Sequence, residues 1–253
     1  MEDQLKAIKY WNQRHQSGPW KGLSGISNFK DFLQPAQTVV EVGCGPGPDI
    51  RVPGVHIGLD LAFEGLKKRR NMNNPVCCDV TLIPLKKETA DLIFSNDVLE
   101  HIPDPEKVFS ECCRILKPGG IIIHRDAWFS RKWRAEGLFA GNHNRKKDLR
   151  IRLRQVLVLL AEMKPIRWSK IFLTRIVREI RYQCRRRQDI IFDCTFFRPN
   201  LDEYLESDSD ACASIDPHAV ILFYLSRGFT VLRSKGLWGR LCHRDHVIVR
   251  KAP

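Results

Sequence analysis

Hydrophobic and polar positions alternate with two different periods along this chain. Short apolar runs stand at Thr38 to Val42, Val55 to Asp60, Pro75 to Val80, Asp91 to Ser95 and Ile121 to Asp126, and helical patterns fall between many of them. Strand and helix in alternation predict a parallel sheet with helices on both faces. The best-marked helix is "DPEKVFSECCRIL", with Asp104 as N-cap and Pro105 at the first helical position. Its apolar face is Val108, Phe109, Cys112, Ile115 and Leu116. "KPGG", Lys117 to Gly120, is expected to stop that helix and turn the chain into the next strand. Near the end, "DPHAVILFYLSRGF" predicts another helix, closed near Gly228 and followed by strands "TVLRS" and "DHVIVR".

From Trp128 to about Ile215 the alternation breaks down. Two basic amphipathic helices are predicted there, on either side of Pro165. One gathers Leu149, Leu153, Val156, Leu157 and Leu160 on a face, the other Trp168, Phe172, Ile176 and Ile180. The chain thus divides into residues 1–127, an N-terminal helix and a core; 128–215, a basic helical insertion; and 216–253, a helix and two strands that complete the core.

Charge sharpens this division. The chain has 253 residues and a net charge of +13. Residues 131–190 hold 18 Lys plus Arg against 5 Asp plus Glu, an excess of 18 − 5 = +13, while the rest balances at 24 against 24. Arguments about anionic partners therefore concern this segment, including Arg185, Arg186 and Arg187. Its helices can form a cap packed on the sheet with a solvated basic back. A basic face with aromatic neighbours also suits an anionic acceptor, an anionic lipid surface or RNA.

The nine cysteines include the adjacent pairs Cys77-Cys78 and Cys112-Cys113 and no CxxC spacing. Neither a disulfide framework nor a zinc site is indicated, and a reducing compartment is expected. The first residues lack the apolar core of a signal peptide, and "VLVLLA" is far shorter than the roughly 20 residues that span a bilayer. The expectation is a cytoplasmic protein, peripheral at a membrane if it meets one.

The candidate chemistry starts at "VVEVGCGPGPDI", where a strand runs into a turn with Gly43, Gly45 and Gly47. Glycine tolerates positive φ and lets a ligand approach the backbone closely. "HIGLDLA" ends the second strand at Asp60, a carboxylate placed for ribose hydroxyls. The third glycine comes one position earlier than in a dinucleotide fingerprint, and Pro48 follows it. No phosphate-binding lysine follows either, which disfavours a nucleotide triphosphate. Only 13 positions separate Gly47 from Asp60, so the first helix of the core is expected to be a turn or two at most.

"EVGCGPG", then "GLDL", then "CDVTLIPLKKETADLIFSNDVLEHIPDPEKVFSECCRILKPGG" resembles the class I S-adenosylmethionine-dependent methyltransferases, in the group acting mostly on small molecules. The resemblance is close over about Thr38 to Asp126. It implies a Rossmann-like, seven-stranded α/β sheet whose last strand is antiparallel, with S-adenosyl-L-methionine as cofactor. It sets Glu41, Gly43, Gly45 and Gly47 around the methionine part, Asp60 on the ribose, and Asp79 and Val80 at the adenine. Ser95 and Asn96 would border the methionine and the methyl group. The insertion stands where the family covers its acceptor, so it is expected to be an acceptor-side cap.

Methyl transfer is an in-line displacement, and a base is needed only when the acceptor loses a proton. Candidates are His101 in "LEHI" and His124 and Asp126 at the end of the fifth strand, ahead of Asp97 and of His218, which reads as a capping or surface residue. Asp97, Glu100 and His101 resemble a metal-binding pattern of related enzymes, but Asp stands where that pattern has Glu, and no metal is expected. Asp208-x-Asp210 reads as a solvated loop or as part of the acceptor pocket. The acceptor is expected to be a small molecule or glycan-like compound, presented in one version at an anionic membrane surface. The alternatives are an RNA methyltransferase and a catalytically idle cofactor-binding scaffold.

Overall fold

The computed structural model describes residues 2–17, 29–47, 52–69, 74–139, 148–184, 192–201 and 209–253. Pro48, Arg185 to Arg187 and Asp208 lie outside the described residues.

After α1 (Glu2–Ser17) and the short α2 (Lys30–Leu33), the chain enters β1 (Thr38–Val42) and β2 (Val55–Asp60). Then come α3 (Phe63–Lys67), β3 (Asn74–Cys77), β4 (Ala90–Asn96), a 3-10 turn at Leu99–His101, α4 (Pro105–Ile115) and β5 (Leu116–Arg125). The insertion contributes α5 (Lys132–Ala135), α6 (Leu149–Ala161), α7 (Lys164–Cys184), β6 (Thr195–Phe196) and β7 (Ala213–Ser214). The chain ends with α8 (Pro217–Ser226), β8 (Thr230–Val231), α9 (Gly236–Leu241) and β9 (Val247–Arg250).

Seven strands form one sheet in the order β3-β2-β1-β4-β5-β9-β8. β1 to β5 pair in parallel, and β9 runs antiparallel to β5 and to β8. This is the Rossmann-like sheet with an antiparallel last strand that the sequence implied. Because strand side chains alternate, β1, β4, β5 and β9 each feed two cores. Val40, Ile93 and Ile122 pack with Phe109 of α4 and Phe223 of α8 on one face. Val39, Leu92 and Ile123 pack with Phe29 and Leu33 on the other. Burying a side chain such as Phe109 stabilises the fold by about 1.5–3 kcal/mol.

The two capped helices form as expected. Asp104 accepts the Lys107 amide at 3.2 Å, Asp216 accepts the His218 amide at 3.0 Å, and each has proline at its start.

Several boundaries differ from the sequence reading. β3 ends at Cys77, so Asp79 and Val80 sit in the turn beyond it. "KPGG" does not separate helix from strand. It lies inside β5, where the register with β4 shifts between Ala90 and Leu92, and Gly119 takes φ 75°. None of the described residues between β1 and β2 is helical. The β6–β7 ladder and α9 carry no sequence signal strong enough to be expected.

The insertion departs most. Its two helices exist, but the apolar face of α6 points outward and no described α6 residue is buried. α7 instead buries Arg175, Glu179 and Tyr182. Arg175 Nη2 and Arg178 Nη1 reach the Asp216 carboxylate at 2.7 and 2.6 Å, and Arg240 forks onto Glu179 at 2.6 and 2.9 Å. The buried carboxylate at the start of α8 requires cationic partners, so α7 turns its charged side inward. His218 is buried too, with Nε2 3.2 Å from Glu179 Oε1, rather than lying at the surface.

Candidate active site

The carboxyl ends of β1, β2 and β4 open onto a cavity of about 1410 Å³. Open parallel sheets bind ligands at this edge. The volume exceeds the ~300–1,000 Å³ of sites that hold one small molecule.

The glycine turn forms the floor. Gly43 and Gly45 take φ of 66° and 48°, a region that disfavours side chains, and a Cβ at Gly43 would stand 2.4 Å from Val98 Cγ2. Asp60 ties this turn to β2, accepting the Gly45 and Ala62 amides at 2.7 Å each. Burial pushes the Asp60 carboxyl above its usual range, against the pull of the two amides. Each of its oxygens keeps a second lone pair, so a hydroxyl can still donate to it.

Glu41 lines the cavity, but its carboxylate is engaged underneath. Arg69 Nη2 donates to Oε1 at 2.8 Å, and His56 Nε2 stands 3.0 Å from Oε2. The fully buried guanidinium of Arg69 also donates to the carbonyls of Cys44 and Gly45. Glu41 thus sets the shape of the turn through Arg69. Asp79 borders the cavity in its turn, held by the Thr81 amide and hydroxyl at 2.9 and 2.7 Å and by Gln4 Nε2 at 3.0 Å. Val80 and Gly47 also line it.

The lid over this floor is α1, which the sequence reading did not assign to the site. Trp11 and His15 line the cavity. His15 approaches so closely that a Cβ on Gly65 would lie 2.4 Å from its Nδ1. Burial, with Arg14 and Lys68 nearby, lowers the His15 pKa to about 4. The aromatic and basic cluster "YWNQRH" was the available signal.

At the end of β4 Asn96 faces the cavity, and beyond it His101 does so too. Asp97 holds a positive φ of 53° there. The His101 ring sits edge-on to Trp11 at 5.0 Å, with Nδ1 buried 3.8 Å from Asp210 Oδ1. Asp210 accepts from Tyr10 Oη at 2.9 Å and lines the same wall, so it belongs to the site rather than to a solvated loop. Phe197 and Lys132 bring the insertion to the mouth.

Ser95, His124 and Asp126 do not line the cavity. They lie beneath it as a buried relay. Ser95 Oγ donates to Asp126 Oδ2 at 2.6 Å, so it must accept from His124 Nδ1 at 2.8 Å, which leaves His124 Nε2 to accept from Tyr224 Oη at 2.7 Å. Asp126 Oδ1 accepts the amides of Val98 and Leu99 at 2.9 and 3.1 Å. Burial lowers the His124 pKa to about 3 and raises that of Asp126 to about 6. The expectation that His124 and Asp126 face the acceptor is corrected. His124 shares strand parity with Ile122 and turns into the core, while Asp126 is drawn to the two amides.

Among the described residues no group of three His, Cys, Asp or Glu side chains converges as a metal site.

The sheet order and the edge cavity define the class I methyltransferase fold. Residues 40–124, about a third of the chain, match the family described as "Methyltransferase domain". Phosphoethanolamine N-methyltransferase 2 of Caenorhabditis elegans is 34% identical over 41% of this chain and 26% of its own length. The ubiquinone biosynthesis O-methyltransferase of Bordetella pertussis is 33% identical over 46% of this chain and 55% of its own. The chain thus spans from about a quarter to just over half of these relatives. A solved phosphoethanolamine N-methyltransferase 1 of Haemonchus contortus, in complex with phosphoethanolamine and S-adenosylhomocysteine, aligns over 50% of this chain and 33% of that one. Its TM-score is 0.41 at 16% identity, a likeness too low to bear on function.

Proposed function

We infer that this protein is an S-adenosyl-L-methionine-dependent methyltransferase acting on a small-molecule or glycan-like acceptor, met at the cytoplasmic face of an anionic membrane. The observation that carries this reading is the single cavity shared by the glycine turn, Asp60 and Asp79 on one side and His101, Asp210 and Phe197 on the other. Its volume leaves room for an acceptor beside the cofactor. The names of the curated relatives support a small acceptor, and the nine free cysteines support a reducing compartment.

The residues present fit the cofactor. Gly43 and Gly45 keep side chains off the floor, Asp60 retains acceptor capacity for the ribose, and Asp79 stands at the adenine end. Asn96 borders the methionine side, with Ser95 supporting it from below. When bound, S-adenosylmethionine would supply an electrophilic methyl group, with its sulfonium sulfur as the leaving group. Trp11 and Phe197 hold the acceptor and exclude water. His101 takes the acceptor's proton at Nε2, while Asp210 beside Nδ1 stabilises the resulting imidazolium.

Incubation with methyl-labelled cofactor and a fractionated cell extract tests the acceptor class. Label in soluble small molecules or lipid-linked glycans is expected. Label in RNA, or in no fraction, contradicts the reading.

A further inference from the structure

The α6–α7 hairpin exposes two apolar stripes. On α6, Leu149, Leu153, Val156, Leu157 and Leu160 are each between 51 and 78% exposed. On α7, Ile166, Leu173, Val177 and Ile180 repeat at helical spacing and are between 46 and 62% exposed. Contiguous apolar surface of this kind marks a partner or a membrane.

The charges around the stripes choose between these. By helical angle, Arg150 and Arg154 flank the α6 stripe on one side and Arg152 on the other, and Lys170 and Arg181 flank the α7 stripe. Residues 149–184 contain nine Lys plus Arg and two acids, Glu162 and Glu179. Both acids are engaged within the protein: Glu162 pairs with Arg131 at 2.9 Å, and Glu179 is buried against Arg240. The hairpin therefore presents apolar residues and positive charge together. A second copy meeting it symmetrically would set one array of arginines against another, which is unfavourable. An apolar stripe edged by cations that can reach outward is instead the pattern of a helix lying in a lipid interface. Among the described residues no helix is long and apolar enough to cross a membrane, so the contact is one of lying on the surface.

We propose that the α6–α7 hairpin docks this protein on an anionic lipid surface, with its leucine stripe in the headgroup boundary and Arg150, Lys170 and Arg181 on lipid phosphates. This names the docking element of the membrane setting given above and rests on that setting, not on the methyl-transfer chemistry. The hairpin adjoins the cavity mouth, since Arg154 pairs with Glu136, a lining residue, and Lys132 lies one helical turn before it. Docking there would turn the mouth toward the lipid surface.

Sedimentation of the full chain with phosphatidylcholine vesicles containing a rising share of phosphatidylglycerol tests the proposal, at low and high salt. The wild type is expected to pellet with anionic vesicles, to do so less at high salt, and to stay in solution with phosphatidylcholine alone. Arg150→Gln with Lys170→Gln and Arg181→Gln should weaken binding by about fivefold per cation removed. Leu153→Glu with Leu157→Glu should abolish it at any salt. These residues are exposed, and unchanged thermal unfolding and S-adenosylhomocysteine affinity in both variants separate loss of docking from loss of fold or of the cofactor site. Wild type that ignores anionic vesicles at low salt overturns the proposal, as does equal binding to neutral vesicles. A dimer in analytical ultracentrifugation that the leucine variant dissociates also overturns it and assigns the stripe to a second copy.

Discussion

Asp126 accepts the Val98 amide at 2.9 Å, so the residue after β5 holds the turn that follows β4. That turn carries His101 to the cavity wall, and the carboxylate that fixes it never reaches the cavity. Asp126 acts on the site through position. Asp126→Ala leaves two amides and the Ser95 hydroxyl without their acceptor, and each buried donor left unpaired costs about 1–3 kcal/mol. A loss of about 3 kcal/mol is expected in urea unfolding. A variant as stable as wild type would show that water replaces the carboxylate.

His124 makes stability depend on pH. Its folded pKa of about 3 lies below the ordinary 6.5, so its contribution is fully present above pH 6.5 and is lost as pH falls through 3, at up to about 1.4 kcal/mol per pH unit. Asp126 opposes it. With a folded pKa of about 6, its contribution is full below the ordinary carboxylate value and is lost as pH rises through 6. His124→Gln keeps a donor for Ser95 and an acceptor for Tyr224 but cannot titrate. The acid slope of the unfolding free energy should drop by about one proton between pH 6.5 and 4. An unchanged slope would mean that His124 is protonated in the native state.

Gly65 permits His15 to lie against α3. Gly65→Ala puts a methyl 2.4 Å from Nδ1 of His15, too close to keep, and a shift of α1 is expected to relieve it. Overpacking of this kind costs about 1–3 kcal/mol. Thermal unfolding and limited proteolysis within residues 2–17 should show both the loss and the loosened helix. Unaltered cleavage would place the adjustment in the His15 side chain alone.

The alternation of Val39 and Val40 and the "DP" helix starts made the sheet and its two main helices legible in the sequence. The glycine turn and Asp60 were legible as a strand-end site for the same reason. His124 was misread although the signal was present, since strand parity with Ile122 aims it into the core. The part that α1 plays in the site was missed because "YWNQRH" marks an aromatic and basic cluster but not its partner, and the contact of His15 with Gly65 joins residues 50 positions apart. The leucine face of α6 reads identically whether it meets a sheet or a lipid. On α7 the inward turn of the charged side follows from Asp216, whose buried carboxylate holds Arg175 and Arg178.

Chelation should leave the protein's activity intact, because Asp97 stands where the related metal-binding pattern has Glu. Label transfer measured with and without EDTA checks this. Activity lost in EDTA and restored by magnesium or zinc would bring Asp97, Glu100 and His101 back as ligands.

Calorimetric titration with S-adenosylhomocysteine tests the central claim, that the edge of the sheet around Gly45 and Asp60 is a cofactor site. One site per chain is expected for the wild type, weakened by about 1.5–3 kcal/mol in Asp60→Ala, where a charged hydrogen-bond acceptor is lost. No heat of binding in the wild type, or equal affinity in the variant, would contradict the account.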